Sequence, residues 1–170
     1  MNRKETTKYL SELLEKYINP NNDPRIYYAK EVTFDYGTKN EHRIDYMQFK
    51  PKSFTVSGIE QGLFYAYEVK SSVEDFESGH GTNWYTADRS YIVTTEEVYE
   101  QIKNKLPHWV GFIAPDTYKP LKVIKVAKQH DRIKPCSEML LCMFRSANRE
   151  LIKQKKQKLK ENKLCEIQTD

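Results

Sequence analysis

In the stretch Tyr67-Glu-Val-Lys-Ser-Ser, a carboxylate (Glu68) and an ammonium (Lys70) stand two residues apart at the end of the apolar run GLFYAYEV. Residues two apart on a strand share a face, so both side chains project together. A second carboxylate, Asp45, sits in HRIDYM between apolar Ile44 and Tyr46. If the two segments are neighbouring strands, Asp45 meets Glu68 across the ladder, with Lys70 one step along. Two carboxylates held together repel, and one neutralises through a raised pKa. A hard divalent cation removes that conflict. Mg²⁺ is typically held by one or two carboxylates, with waters and phosphate oxygens completing its shell. Such a metal activates a water and stabilises charge developing at phosphorus, and an adjacent ammonium serves the same transition state. The trio suits phosphodiester hydrolysis. An isolated Glu-x-Lys carries no such meaning: Glu161-Asn-Lys163 repeats the pattern in a charged tail, and an exposed pair contributes under about 1 kcal/mol.

The elements that must position these residues follow from periodicity. Glu5 to Ile18 has apolar residues at helical spacing, and Asn19-Pro-Asn-Asn-Asp-Pro24 stops it. EVTFDYG and HRIDYMQFKP alternate and read as an antiparallel hairpin around Gly37-Thr-Lys-Asn40. Residues 52–61 form a polar connection, and GLFYAYEVKS, apolar on both faces, is expected to be a central strand. SSVEDFESGHGTN is polar and turn-rich, and WYTADRSYIVTT carries a strand at its end. A short helix over 96–106, the strands in WVGFIAP and LKVIKVAK, and a long helix opened by Pro135 complete the chain. The last helix has an apolar stripe (Met139, Leu140, Met143, Phe144, Leu151), then becomes almost wholly charged. The expected architecture is α/β, a central mixed sheet flanked by helices with a long basic C-terminal helix.

Composition agrees. The 170 residues, 38% apolar and 31% charged, suit one polar globular domain over 1–150 with a basic helical extension over 151–170. No apolar run is long enough to span a bilayer, and MNRKETTKYL lacks an apolar signal core. A cytoplasmic protein is expected. Three cysteines at irregular spacing point to free thiols rather than disulfides or zinc. The net charge of +4 is concentrated in RELIKQKKQKLKENKL, which is either a solvated helix face or an electrostatic footprint for nucleic acid.

The Asp…Glu-x-Lys arrangement on a hairpin strand and a central strand, after an N-terminal helix, resembles the PD-(D/E)XK nuclease superfamily. EVTFDYGTKNEHRIDYM, YEVKSSVEDFESGHGTNWY and YIVTTEEVYEQIKNKLPHWVGFIAP look like segments of its small phage and prophage members, across roughly the middle half of the chain. The resemblance implies a restriction-endonuclease-like core. It also implies a metal-dependent deoxyribonuclease of phage or prophage DNA processing or repair, in a bacterial or phage-infected cell. Asp45 and Glu68 would be ligands of Mg²⁺ or Mn²⁺, Lys70 the catalytic lysine, and the carbonyl of Val69 a further metal contact. Glu31 is the preferred upstream acidic residue, with Glu12 behind it. Ile44 stands where the signature writes proline.

In the loop after the third strand, His80 and Asn83 are candidate nucleic-acid contacts, although a plain loop histidine with Asp75 capping a helical turn is the favoured reading of the segment. Trp84 and Tyr85 are expected in the core. Lys153, Lys155, Lys156 and Lys158 would neutralise DNA phosphates without reading bases. The alternative is a nuclease-fold protein that binds DNA or inhibits a protein partner without cutting, since fold does not fix function. A homodimer is left open.

Overall fold

Asn2 opens the first helix with a reciprocal cap: its side chain accepts from the Glu5 amide at 3.0 Å, and Glu5 accepts from the Asn2 amide at 2.9 Å. The helix, α1 (Arg3–Ile18), turns Leu10, Leu14 and Ile18 inward. Each such side chain contributes about 2 kcal/mol of burial free energy. The computed structural model describes residues 2–79, 84–118 and 120–167, with side chains to residue 161. After α1 come strands β1 (Tyr27–Phe34) and β2 (His42–Lys50), a short helix α2 (Val56–Glu60), and β3 (Leu63–Val69). Helix α3 (Val73–Glu77), β4 (Arg89–Val93) and α4 (Glu96–Ile102) follow, then β5 (Gly111–Ala114), β6 (Lys122–Lys125) and α5 (Cys136–Ile167).

The strands form one six-stranded sheet in chain order. β2 runs antiparallel to both β1 and β3, β4 and β5 run parallel to β3, and β6 returns antiparallel at the far edge. β3 is therefore central, as its two-sided apolar pattern requires. Phe64 and Ala66 join a cluster with Cys136, Met139 and Met143 of α5. Tyr67 and Val69 join the opposite cluster, with Leu10 and Leu14 of α1. The Tyr46 hydroxyl ties α1 to β2 by donating to Glu15 at 2.9 Å. The far end of β3 is fixed by buried Asp88, which accepts from the Phe64 amide at 2.8 Å and pairs with Arg132 at 3.0 Å.

Several expectations are corrected. β1 begins at Tyr27 and ends at Phe34, before the Gly37 turn at φ +75°. The connection over 52–61 contains α2, capped by Thr55, and the polar run after β3 contains α3. Phe144 and Leu151, part of the apolar stripe of α5, are exposed, and so is Tyr85, expected in the core, which packs against Trp109 and His130. Trp84 is in the core. α5 runs through residue 150 without a break, and residues 151–161 are exposed. Among the described residues, no helix is long and apolar enough to cross a membrane.

Candidate active site

The β2–β3 ladder pairs Lys50 with Leu63 at one end and Tyr46 with Tyr67 at the other. One step beyond that last pair, each strand presents a carboxyl group, Asp45 from β2 and Glu68 from β3. Asp45 Oδ2 accepts a hydrogen bond from the Val69 amide at 2.9 Å, so a side chain stands in for the next rung. Glu68 is 5% exposed and hydrogen-bonded to Asp45. Burial first, then the charge of Asp45, holds the Glu68 carboxyl well above the ordinary glutamate range, against the pull of Lys70 and Arg43.

Lys70 is 4% exposed. Its backbone is locked to β4, with the amide donating to Val93 at 2.9 Å and the carbonyl accepting from the Thr94 hydroxyl at 2.6 Å. Its ammonium acts on both Glu68 and Asp75. Burial alone would raise Asp75, but hydrogen bonds from Ser71 and the charges of Lys70 and Arg3 outweigh it and hold the carboxyl low. Asp75 is not the cap of α3. Ser72 caps it at 3.2 Å, while Asp75 reaches back to the Ser71 amide and hydroxyl, both at 3.1 Å.

These groups line a polar cleft of about 830 Å³, whose walls also carry Arg3, Glu31 and Arg43. Arg3 pairs with Asp75 and Arg43 with Glu31, each at 2.7 Å. Glu31 takes φ +54° inside β1, a left-handed conformation that costs a non-glycine residue about 1–2 kcal/mol. Helix α5 holds it there: Arg149 donates to the Glu31 carbonyl at 2.6 Å and Ser146 donates to it at 3.1 Å. Ser146 also donates to the Lys30 carbonyl. The twist resets both strands. Ala29 and Val32 pack in the same cluster, as do Met47 and Ile44, although residues three apart on a regular strand lie on opposite faces. Glu31 and Asp45, between those pairs, are left to the cleft.

The sequence candidates separate clearly. Asp45, Glu68, Val69 and Lys70 converge. Glu31 lines the same cleft, but its carboxylate is engaged by Arg43. Glu12 is exposed on α1 and pairs with Lys8 at 3.9 Å, outside the cleft. Lys153, Lys155, Lys156 and Lys158 lie exposed along α5, apart from the cleft, with Lys153 paired to Glu150 at 2.6 Å. His80 and Asn83 lie outside the described residues. Arg3, Arg43 and Asp75 are cleft residues that sequence reasoning missed as such. Arg43 had a signal, being two residues before Asp45 on the same strand.

Among the described residues, no group of three or more His, Cys, Asp or Glu is arranged to hold a metal. Two adjoining carboxyl groups in a polar cleft fit a hard cation that draws its other ligands from water and phosphate. They do not fit zinc, which favours nitrogen and sulfur donors.

No family model matches this chain, and no curated protein sequence matches it. Among solved structures, it is similar in fold to the SPO1766 protein of unknown function from Silicibacter pomeroyi. The TM-score is 0.53 and the identity 20%, over 73% of this chain and 75% of that one. At that identity the likeness bears on the fold alone.

Proposed function

We propose that this protein is a metal-dependent deoxyribonuclease of the PD-(D/E)XK type, acting on phage or prophage DNA in the cytoplasm of a bacterial or phage-infected cell. The observation that carries the reading is the contact between Asp45 and Glu68 beyond the end of the β2–β3 ladder, with Lys70 buried beside them. Burying the Glu68 carboxyl and the Lys70 ammonium beside half-buried Asp45 costs stability, and such costs concentrate at functional sites.

In this account Asp45 and Glu68 would hold Mg²⁺ or Mn²⁺, with the Val69 carbonyl, which lies between Glu68 and Lys70 along the chain, as a further contact. The bound ion supplies Lewis-acid charge and a water of lowered pKa. Glu68 would bind such an ion as its carboxylate, its charge offset by the ion rather than by a proton. The Val69 amide keeps Asp45 oriented through its hydrogen bond. Lys70 donates toward the attacking water or a non-bridging phosphate oxygen, and its locked backbone means that little reorganisation is needed.

The test is incubation with supercoiled, linear and single-stranded DNA, with Mn²⁺ or EDTA. The wild type is expected to cut only with the metal. Lys70→Ala should lose about 10²–10³ in rate, and Asp45→Ala should fall to background. Metal-dependent cutting that survives in both variants overturns the assignment.

A second reading is a nuclease-fold protein that binds DNA, or inhibits a protein partner, without cutting. It draws on Glu31, which is tied to Arg43 and so does not extend the carboxyl pair to three. Salt-sensitive DNA binding with no cutting under any metal would favour it.

A further inference from the structure

A site that hydrolyses a phosphodiester must also hold the strand on either side of the reacting phosphate, and two cleft residues offer the means. Arg3 enters from the first turn of α1, and Arg43 from β2, two residues before Asp45. Arg43 acts on Glu68, while Arg3 and Lys70 both act on Asp75. The two guanidinium groups thus approach the Asp45, Glu68 and Lys70 cluster from different walls of the cleft.

Their ion pairs are not there to hold the fold together. The Arg3 and Arg43 side chains are 63% and 60% exposed, and pairs so exposed contribute little stability. Each pair uses a single guanidinium nitrogen, Nη2 of Arg3 and Nη1 of Arg43. A guanidinium carries five N–H donors in a rigid fork, so each arginine is oriented by its carboxylate yet keeps donors for another anion. The paired carboxylates take the side-chain ordering cost in advance.

Charge balance adds a condition. The cleft sets three fixed cations, Arg3, Arg43 and Lys70, against the carboxyl groups of Glu31, Glu41, Asp45, Glu68 and Asp75. On its own it opposes a polyanion, and a divalent cation at Asp45 and Glu68 cancels that excess of negative charge. We propose that Arg3 and Arg43 form a clamp for the phosphodiester backbone of one DNA strand, gripping phosphates on either side of the one that faces Asp45 and Glu68, and that the clamp engages when a divalent cation is present. The proposal rests on the nuclease reading for its ligand, but on Arg3 and Arg43 for its residues.

The experiment is fluorescence anisotropy with fluorescein-labelled single-stranded and duplex DNA across a salt series, in Ca²⁺ and in EDTA, with DNA integrity checked on gels. In Ca²⁺, Arg3→Gln and Arg43→Gln should each flatten the dependence of log K on log salt by about 0.9 for duplex and about 0.7 for single strands. Neither substitution should matter much in EDTA. Arg43→Lys should keep the wild-type slope and lose affinity, because it retains charge without the fork. Melting curves establish that each variant is folded. Wild-type binding with slopes unchanged in both glutamine variants overturns the clamp, as does an absence of DNA binding. Arginine-dependent slopes in a protein that never cuts keep the clamp and discard hydrolysis. Metal-dependent cutting with arginine-independent slopes does the reverse.

Discussion

Asp45 and Glu68 meet one step past the Tyr46–Tyr67 pair that ends their ladder, and the Val69 amide donates to Asp45 where a backbone carbonyl would otherwise receive it. The carboxyl pair is thus built into the point where the β2–β3 ladder ends and a side chain takes over a backbone hydrogen bond. Its chemistry can be probed through stability as well as activity.

The pH dependence of stability has a fixed sign. The folded-state pKa of Glu68 lies above its ordinary value of 4.5. The proton it keeps therefore stabilises the fold fully below the unfolded value, and that stability is lost as pH rises through the folded value. Glu68→Gln removes the penalty. Its melting temperature should match wild type at about pH 4 and rise above it with increasing pH, to a plateau. A difference that does not change with pH would contradict the assigned cause.

The left-handed turn at Glu31 can be tested by residue type. Glu31→Gly should leave stability within about 1 kcal/mol of wild type, because glycine adopts this conformation without strain. Glu31→Val should cost about 1–2 kcal/mol more, being branched at Cβ. Ser146→Ala should cost about 1 kcal/mol through the hydrogen bonds it removes. Urea midpoints decide, and equal midpoints for the glycine and valine variants would mean that Glu31 is not held in this conformation.

Asp88 and Arg132 provide a control remote from the cleft. Asp88→Ala leaves the Arg132 guanidinium without its carboxylate and the Phe64 amide without its acceptor. About 3 kcal/mol of stability should be lost, with cutting per folded molecule unchanged. Loss of cutting in a fully folded Asp88→Ala protein would tie this pair to the cleft.

The lysines of α5 should act on DNA affinity alone. Replacing Lys155, Lys156 and Lys158 by glutamine should flatten the salt dependence of duplex binding by up to about 0.9 per lysine, equally for all sequences. The cutting rate at saturating DNA should hold. A lower rate at saturation, with unchanged affinity, would instead connect α5 to the cleft, to which Ser146 and Arg149 already reach through Glu31.

Much of this arrangement was legible in the sequence, for local reasons. The alternation in HRIDYMQF and the two-sided apolar pattern of GLFYAYEV make neighbours of β2 and β3, and the strand period then places Glu68 and Lys70 together. The five-residue helices α2 and α3 are too short for helical periodicity to show, and the readable signal was the cap, Ser72-Val-Glu-Asp75. The conformation of Glu31 was not legible, because it depends on Ser146, 115 residues away, and on Arg149. Phe144 carries the spacing of a core residue but lies exposed, since periodicity marks an apolar stripe without saying where its partner ends.

Free Mn²⁺, followed by its electron paramagnetic resonance signal during titration into the protein, addresses the central claim most directly. The signal should fall until one ion is bound per chain in the wild type and in Lys70→Ala, and should persist in Asp45→Asn and Glu68→Gln. An ion gripped across β2 and β3 cannot outlast the loss of either carboxylate, so uptake by those two variants that equals wild type would contradict the account.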